Sequence, residues 1–341
     1  MTSSYQRIVL ASRPTGAVSP ENFRLESLPI PECGPGQVLV RNHFLSLDPY
    51  MRGRMNESKS YAASQPLNET MIGGTAGEVI VSQNSKFSVG DKVVGGYGWS
   101  EIGLSDGSGL MKVDTSHIPL SAYLGAVGMP GVTAWYGLHK IIAPKAGETV
   151  VVSAASGAVG SAVGQMAKMA DCRAIGIAGG KDKCAYVVEE LGFDACIDYK
   201  AAQQDGKLDV KAFATRLREV APKGIDGYFE NVGGAILDAV MLQMNPFSRI
   251  AFCGMISGYD GAPSPMQYPA LILMNRMKLQ GFIVSEHMDI WPQALKELGS
   301  YVATGKLKYR ETIAQGLASA PQAFIGLLKG ANFGKQLVKL I

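Results

Sequence analysis

Histidine and cysteine are both scarce in this sequence, and neither occurs in clusters. The four histidines are His43, His117, His139 and His287, and the five cysteines are Cys33, Cys172, Cys184, Cys196 and Cys253. No HxxxH or CxxC spacing occurs, and no histidine lies beside a cysteine. A catalytic zinc needs three protein ligands and an open fourth position, and a structural zinc lobe needs clustered cysteines. The expectation is that no metal is bound. An odd, widely spaced set of thiols also makes no disulfide framework. They read as small buried hydrophobes in a reducing compartment.

Charge is sparse too. Charged residues make up 18% of the chain and the formal net charge is only +3. There is no dense Lys/Arg run and no basic stripe with interleaved aromatics, which argues against nucleic acid as a partner. Residues 1–12 lack the basic-then-apolar pattern of a leader, so a cytoplasmic location is expected. Residues 149–167 hold no charge at all. They are dense in Gly, Ser and Ala with few large apolar side chains. That composition suits a ligand loop entering a buried helix better than a membrane span. No repeat or low-complexity segment is present. At 341 residues the chain exceeds one typical domain.

What is present changes character along the chain. Residues 1–123 read as short strands and turns, with strand patterns at 37–43, 75–81 and 91–95 and little helical periodicity. From Glu148 onward short apolar strands alternate with helices. Strands are expected at 149–154, 173–178, 195–198, 225–229, 250–253 and 279–284. Helices are expected at 159–170, 181–191, 210–220, 235–244, 271–276 and 292–304. Such alternation predicts an α/β fold with a doubly wound parallel six-stranded sheet, the Rossmann plan, covered on both faces. The tail from about residue 306 looks β-like again, with a short helix near 323–328. The domains are therefore expected at 124–305 for the dinucleotide-binding part, and at 1–123 with 306–341 for a discontinuous β-rich part.

The strand at 149–154 runs into Ala155-Ser156-Gly157-Ala158-Val159-Gly160-Ser161-Ala162-Val163-Gly164. A strand that turns sharply into a helix while its backbone nears a pyrophosphate needs glycine, and the helix start offers N–H groups to the phosphates. The spacing is GxxGxxxG, which alone also suits helix–sheet packing. The second strand ends Ala178-Gly179-Gly180-Lys181-Asp182-Lys183, with no acid to grip ribose hydroxyls and two lysines instead. That favours a 2′-phosphate, hence NADPH over NADH. Tyr199 follows the next strand and is placed to close the same pocket. Asp182 reads as a helix cap.

Interconverting an alcohol and a carbonyl needs a group that polarises oxygen. Without zinc, the only tyrosine–lysine pair one helical turn apart is Tyr136 with Lys140. It precedes the first strand of the alternating region and reads as a chance spacing. Adding hydride to a carbon–carbon double bond conjugated to a carbonyl asks for less, since a weak donor suffices to stabilise the enolate oxygen.

Six stretches carry a family resemblance: 45–54 (LSLDPYMRGR), 128–137 (GMPGVTAWYG), 154–164, 226–234 (DGYFENVGG), 253–259 (CGMISGY) and 324–334 (FIGLLKGANFG). The sequence resembles the zinc-independent medium-chain dehydrogenases/reductases. These include the leukotriene/prostaglandin reductases, the plant alkenal double-bond reductases and the bacterial curcumin reductases. The stretches SRPTG and PENFRLE look most like the curcumin-reductase branch.

The resemblance implies a GroES-like domain beside the Rossmann domain, NADPH as cofactor, and a homodimer. It implies that Gly157, Ala158, Val159 and Gly160 cradle the pyrophosphate, and that Lys183 and Tyr199 hold the 2′-phosphate. Asn231, Cys253, Gly254, Ile256, Ser257, Tyr259, Phe282, Ile283, Val284 and Asn332 would line ribose and nicotinamide. Read without it, Asn231 and Asn332 are turn residues and 282–284 is strand core. Tyr259 is the candidate catalytic group, donating to the substrate carbonyl. Tyr50 and Tyr61 are candidate substrate contacts, although Asp48 and Arg52 would equally suit a bracing role around Tyr50. Met129, Trp99, Tyr268 and the proline-rich loop 263–269 are weaker pocket candidates, Met129 and Trp99 reading better as core. The expected substrate is a small-molecule enone or alkenal, from alkenals to bulky diarylenones, with no membrane partner. A quinone reductase and a non-catalytic NADPH-binding protein remain alternatives.

Overall fold

The computed structural model describes residues 4–261 and 264–341. The first elements are a hairpin of β1 (Ser4–Leu10) and β2 (Phe23–Pro29), then β3 (Val38–Ser46), the short helix α1 (Tyr50–Arg54), β4 (Thr75–Ser82), β5 (Lys92–Gly95), β6 (Ile102–Ser105) and β7 (Met111–Lys112). Helix α2 (Met129–Tyr136) continues through a π-helical segment, Gly137–Ile142, before β8 (Thr149–Ser153) and α3 (Ala158–Met169). Next come β9 (Arg173–Ala178), α4 (Lys181–Ala185), β10 (Ala195–Asp198) and a small hairpin of β11 (Gln203–Gln204) and β12 (Lys207–Leu208). They are followed by α5 (Val210–Val220), β13 (Ile225–Glu230), α6 (Gly234–Met241), β14 (Met244–Phe252), α7 (Ala270–Met274), β15 (Lys278–Gly281) and α8 (Trp291–Ala303). Strand β16 (Glu311–Gln315), helix α9 (Ala320–Leu328) and strand β17 (Lys335–Lys339) complete the described elements.

These elements form two compact units, Met1–Gly125 with Glu311–Ile341, and Ala126–Arg310. In the first, β16-β17-β3-β4-β5-β7 make one sheet with β6 also paired to β3. Its pairs are antiparallel except β16 with β17. The core gathers Ile8, Leu10, Leu45, Met51, Met71 and Phe324 around Trp99, which stacks on Phe23 with ring centroids 5.1 Å apart. Trp99 is therefore core, as its sequence context favours.

In the second unit β10-β9-β8-β13-β14-β15 form a six-stranded sheet whose pairs are all parallel. Strand β8 lies inside it and all five of its residues are buried. An apolar run without alternation is what a strand covered on both faces requires. The N-termini of the following helices and the loops after β8, β9, β13 and β14 gather at one edge, where open α/β sheets bind ligands.

Several local expectations need correction. The strand expected at 279–284 stops at Gly281. Phe282 leaves it to pack on the Tyr136 ring at 5.4 Å, and a 3₁₀ turn, Val284–Glu286, follows. The helix expected to reach residue 244 ends at Met241, and β14 starts at Met244 rather than 250. Of the five cysteines only Cys172 is fully buried, so the rest are not simple core hydrophobes. Helices α1 and α2 were not anticipated.

Candidate cofactor and active site

The turn after β8 is built from backbone constraint. Ala154 adopts φ 50°, and its carbonyl accepts from Gly157 N at 2.9 Å. A Cβ on Gly160 would sit 2.4 Å from that carbonyl oxygen. Only glycine lets α3 start so close to the strand. No described side chain caps this helix, and Ser161 N is the amide that returns to Gly157 O, at 3.0 Å. The amides of Ala158, Val159 and Gly160 are thus left facing out of the helix start, a fit for a pyrophosphate. Gly164 has another job. A Cβ there would lie 1.8 Å from the Phe193 ring, so this glycine packs helix against ring.

The end of β9 shapes a second anion-friendly spot. A Cβ on Gly179 would meet the Tyr199 ring at 2.9 Å, the Tyr199 hydroxyl at 3.0 Å and the Lys200 stem at 3.0 Å. Gly180 caps α4 with φ 106°, and Asp198 accepts from Gly180 N and Lys200 N, which ties the two loops together. Burial pulls the Lys183 ammonium below its ordinary pKa, and the charge of Lys200 adds to the effect. A dianion beside the Lys183 ammonium would relieve that cost. Lys200 was not singled out in the sequence, although it stands next to Tyr199. The expected cap role for Asp182 is not seen, since Gly180 is the cap and no side chain bonds there.

Between these loops lies a buried network that sequence reasoning missed. Glu230, at the end of β13, is completely buried. Its Oε1 accepts from Ser153 Oγ at 2.9 Å and from Val232 N at 2.5 Å. Ser153 Oγ in turn accepts from Asn231 N, and Asn231 Nδ2 donates to Ser153 O, both at 2.8 Å. Asn231 therefore does stabilise the turn before Gly233, which needs glycine at φ 78°. Burial raises the Glu230 pKa, opposed by the amides of Val232 and Gly233, by Ser153 and by the Tyr228 hydroxyl. The last influences the carboxyl without meeting hydrogen-bond geometry. Cys253 beside it is pushed up to about 12 by burial and by Glu230.

That shift sets a sign for stability. A native carboxyl whose pKa lies above the ordinary 4.5 holds its proton longer than the unfolded chain does. Its contribution favours folding most at low pH and fades as pH rises from 4.5 through the native value. Glu230→Gln cannot ionise, so its stability relative to the parent should improve steadily from about pH 4 to about pH 7 in urea unfolding. A pH-independent difference would show that Glu230 ionises as readily folded as unfolded.

The loop after β14 hangs on this network. Cys253 N and Gly254 N donate to Glu230 O, Ile256 N to Asn231 O and Ser257 N to Val232 O. The loop makes a 3₁₀ turn, Ile256–Gly258, and Tyr259 then folds back so that its hydroxyl would lie 3.2 Å from a Cβ on Gly254. Ser257, Gly254 and Tyr259 are thereby gathered beside Asn231. Pro263 of the proline-rich loop lies outside the described residues, and Tyr268 is partly buried.

Ile283 and Phe282 are partly buried, and Val284 O accepts from Trp291 Nε1 at 3.1 Å. Tyr136 and Lys140 do not pair. The Tyr136 ring stacks on His287 at 4.2 Å, and the Lys140 ammonium sits over Trp135 at 5.4 Å.

The remaining candidates belong to the other unit. Tyr50 opens α1, and burial raises its pKa, with Asp48 and then Tyr61 adding to the effect. Tyr61 is 55% exposed beneath the Arg54 guanidinium. Asn332 Nδ2 donates to Gly334 O at 2.7 Å, a turn bond. Asp48 and Arg52 are braced from within this unit, Asp48 by Lys335 and Arg52 by Asn56 and by Gly16 O.

Residues 6–113 match a family described as the N-terminal domain of oxidoreductase, and residues 158–300 one described as zinc-binding dehydrogenase. Despite the second description, no group of three or more His, Cys, Asp and Glu side chains among the described residues could hold a metal ion. His43 faces Glu78 and Lys92, His139 packs on Trp135 and His287 on Tyr136. Zinc thus has no seat among them.

The chain is 45% identical over 342 residues to the NADPH-dependent curcumin reductase of Escherichia coli (strain K12), covering 98% of this chain and 96% of that protein. It is 42% identical to prostaglandin reductase 1 of Rattus norvegicus, covering 95% of each. The crystal structure of CurA in complex with NADPH from Vibrio vulnificus superposes with a TM-score of 0.91 at 46% identity, covering 98% of this chain and 99% of that one. With an unbroken six-stranded dinucleotide-type sheet, a β-rich partner unit, no zinc ligand set among the described residues and this extent of identity, the chain belongs to the zinc-independent medium-chain dehydrogenase/reductase family that includes the curcumin and prostaglandin reductases.

Proposed function

We propose that this protein is an NADPH-dependent reductase of the double bond in enones and alkenals. The observation that carries the reading is the loop 253–259, held by backbone bonds to Glu230, Asn231 and Val232 with the Tyr259 hydroxyl folded back against Gly254. Identity to the E. coli curcumin reductase supports the substrate class.

In this reading the amides of Ala158, Val159 and Gly160 hold the pyrophosphate, and Lys183, Tyr199 and Lys200 grip the 2′-phosphate. The loops at Asn231, 253–259 and 282–284 surround the ribose and nicotinamide. Bound NADPH supplies a hydride to the β-carbon of the substrate. Tyr259 donates its hydroxyl proton in a hydrogen bond to the carbonyl oxygen as negative charge develops there. The α-carbon takes its proton from water, so no further acid is needed. Tyr50 and Tyr61 contact the substrate.

A homodimer in the cytoplasm completes the reading. Strand β15 is an edge of the six-stranded sheet, and Leu273, Met274 and Phe247 near it are 82%, 63% and 67% exposed. A second copy paired at this edge would cover them. Light scattering should then give twice the chain mass of 36.2 kDa, and a monomer mass would refute the pairing. Among the described residues no helix is long and apolar enough to cross a membrane.

The test is to mix purified protein with NADPH and a panel of 2-alkenals, enones, curcumin and quinones, identifying the products. Saturated products that keep the C=O are expected. Quinols alone would replace the reading with quinone reduction, and turnover of nothing despite NADPH binding would remove it. In the same assay Lys183→Ala should raise the KM for NADPH about 10- to 100-fold, the worth of a charge-assisted hydrogen bond. The KM for NADH should stay put. An equal rise for both would place Lys183 away from the 2′-phosphate.

A further inference from the structure

Helix α6 carries one polar side chain. Its sequence is GAILDAVM, and the fifth residue, Asp238, is 1% exposed. Ile236, Leu237, Ala239, Val240 and Met241 around it belong to the apolar core of this unit. Packing alone would place another apolar residue there, since a buried carboxyl is costly unless it is bonded. The bond that Asp238 makes leaves the helix. Its Oδ1 accepts from Gln267 N at 2.9 Å, in the segment that leads into α7. Burial raises the Asp238 pKa, opposed by the amides of Gln267 and Tyr268. The other oxygen, Oδ2, has no hydrogen-bond partner among the described residues. The carboxyl thus serves the backbone of a loop rather than a neighbouring side chain of its own helix.

The segment held in this way touches the loop that carries Tyr259. A Cβ on Gly258 would lie 3.6 Å from Ser264 Cβ, ordinary contact distance, and Gly258 immediately precedes Tyr259. A Cβ on Gly234, which opens α6 at φ 59°, would lie 3.0 Å from Ser264 Oγ and 3.3 Å from Ser257 Oγ. Both segments therefore rest on the first turn of α6. Gly234 and Asp238 are four positions apart and share one face of the helix. The first turn sets Ser264 beside Ser257, and Asp238 secures Gln267 one turn further on. Met266 between them packs on the same core. Tyr259 is thus held from two sides, by the backbone bonds of the loop before it and by Ser264 against Gly258.

We propose that Asp238 is a positioning residue for the reduction: its carboxylate pins the segment 264–268 on α6 and thereby sets where the Tyr259 hydroxyl stands. This deepens the enone-reductase reading above and rests on it. Without the carboxylate the Gln267 amide is released, Ser264 can withdraw from Gly258, and the Tyr259 loop gains room on that side. The hydroxyl then spends less time where a donor to an enolate oxygen must be, which lowers kcat rather than cofactor affinity. The glycine turn after β8 and the Lys183 pocket belong to other loops and are left as they are.

The experiment is a double-variant cycle read by steady-state kinetics with an enone at saturating NADPH, together with hydrogen exchange on the full chain. Asp238→Ala should lower kcat about tenfold and leave the NADPH Kd within about twofold, because a small misplacement of a catalytic group acts on the chemical step. In the Tyr259→Phe background the same substitution should lower kcat less than about twofold, since residues that act through one group are not additive. Asp238→Asn keeps an oxygen for the Gln267 amide and should restore most of the kcat. The Gln267 amide should exchange slowly in the parent and lose that protection in Asp238→Ala. An equal fold loss in both backgrounds would make Asp238 a general stabiliser of the unit and overturn the proposal, as would an unaltered kcat in Asp238→Ala. Fast exchange at Gln267 in the parent overturns it without any variant, so the test survives an Asp238→Ala chain that fails to fold. If the parent reduces no enone, the enone reading fails and the positioning role falls with it, while exchange at Gln267 still reports whether the carboxylate holds the loop.

Discussion

Tyr259→Phe is expected to lower kcat about 100-fold, the usual consequence of deleting one donor to a developing oxyanion. The KM for NADPH should hardly change. The substitution removes one oxygen and leaves the ring in place, so the loop has no reason to collapse. Backbone bonds from Cys253, Gly254, Ile256 and Ser257 to Glu230, Asn231 and Val232 anchor it, and the substitution leaves them in place. The comparison therefore isolates the hydroxyl. A companion variant approaches the same group from the other side. Gly254→Ala places a methyl 3.2 Å from the Tyr259 hydroxyl, tight enough that the phenol must shift. It should reduce kcat in the same direction while the hydroxyl is still present. Steady-state kinetics with an enone at saturating NADPH decides. Undiminished turnover in Tyr259→Phe would make Tyr259 an ordinary loop aromatic and return the enolate to solvent.

The largest stability effect is expected far along the chain from that loop. Lys335→Met should destabilise its unit by about 3–5 kcal/mol, because a buried ion pair that loses one member leaves an uncompensated charge. Lys335 Nζ donates to Asp48 Oδ1 at 2.9 Å and to Leu47 O at 2.6 Å, with side-chain exposures of 4% for Lys335 and 8% for Asp48. Ser46 Oγ donates to the other Asp48 oxygen. The ammonium thereby ties strand β17 to the turn that opens α1 and carries Tyr50. Pairing Lys335→Met with Asp48→Asn removes the stranded charge, so the double variant should recover part of the loss. Urea unfolding of the three proteins measures this. A cost below about 1 kcal/mol for the single variant would mean the pair behaves as a solvated surface bridge.

Strands such as Thr149–Ser153 and Arg173–Ala178 were legible because each is a short apolar run bounded by turn residues. Helix α2 was not legible for a related reason. Every residue from Pro130 to Tyr136 is buried, so no polar face marks a helical period. Helix α1 is only five residues long and contains Gly53, which gives periodicity nothing to work with. The run at 279–284 was misread since apolar character alone cannot tell a strand from Phe282 turning out to pack on Tyr136.

At the site, the glycine turn and Lys183 announced themselves through spacing and charge. Glu230 and Ser153 did not, because they stand 77 positions apart and only the adjacency of β8 and β13 makes them partners.

Strand β17 also has a consequence for the order in which the protein can be made. It pairs with β3, Leu337 opposite Ser46, across about 290 residues of intervening chain, the kind of distant pairing that slows folding. The second unit is contiguous, and all six strands of its parallel sheet lie between Ala126 and Arg310. During synthesis its sheet can close while β3 still waits for its neighbour. Until β17 leaves the ribosome, one side of β3 carries unpaired peptide groups in a nascent chain that already holds a folded neighbour. A translation arrest placed between Arg310 and Lys335 would leave the nucleotide-type sheet complete and the β-rich unit open, the state in which a chaperone or a stray strand from another chain finds its target.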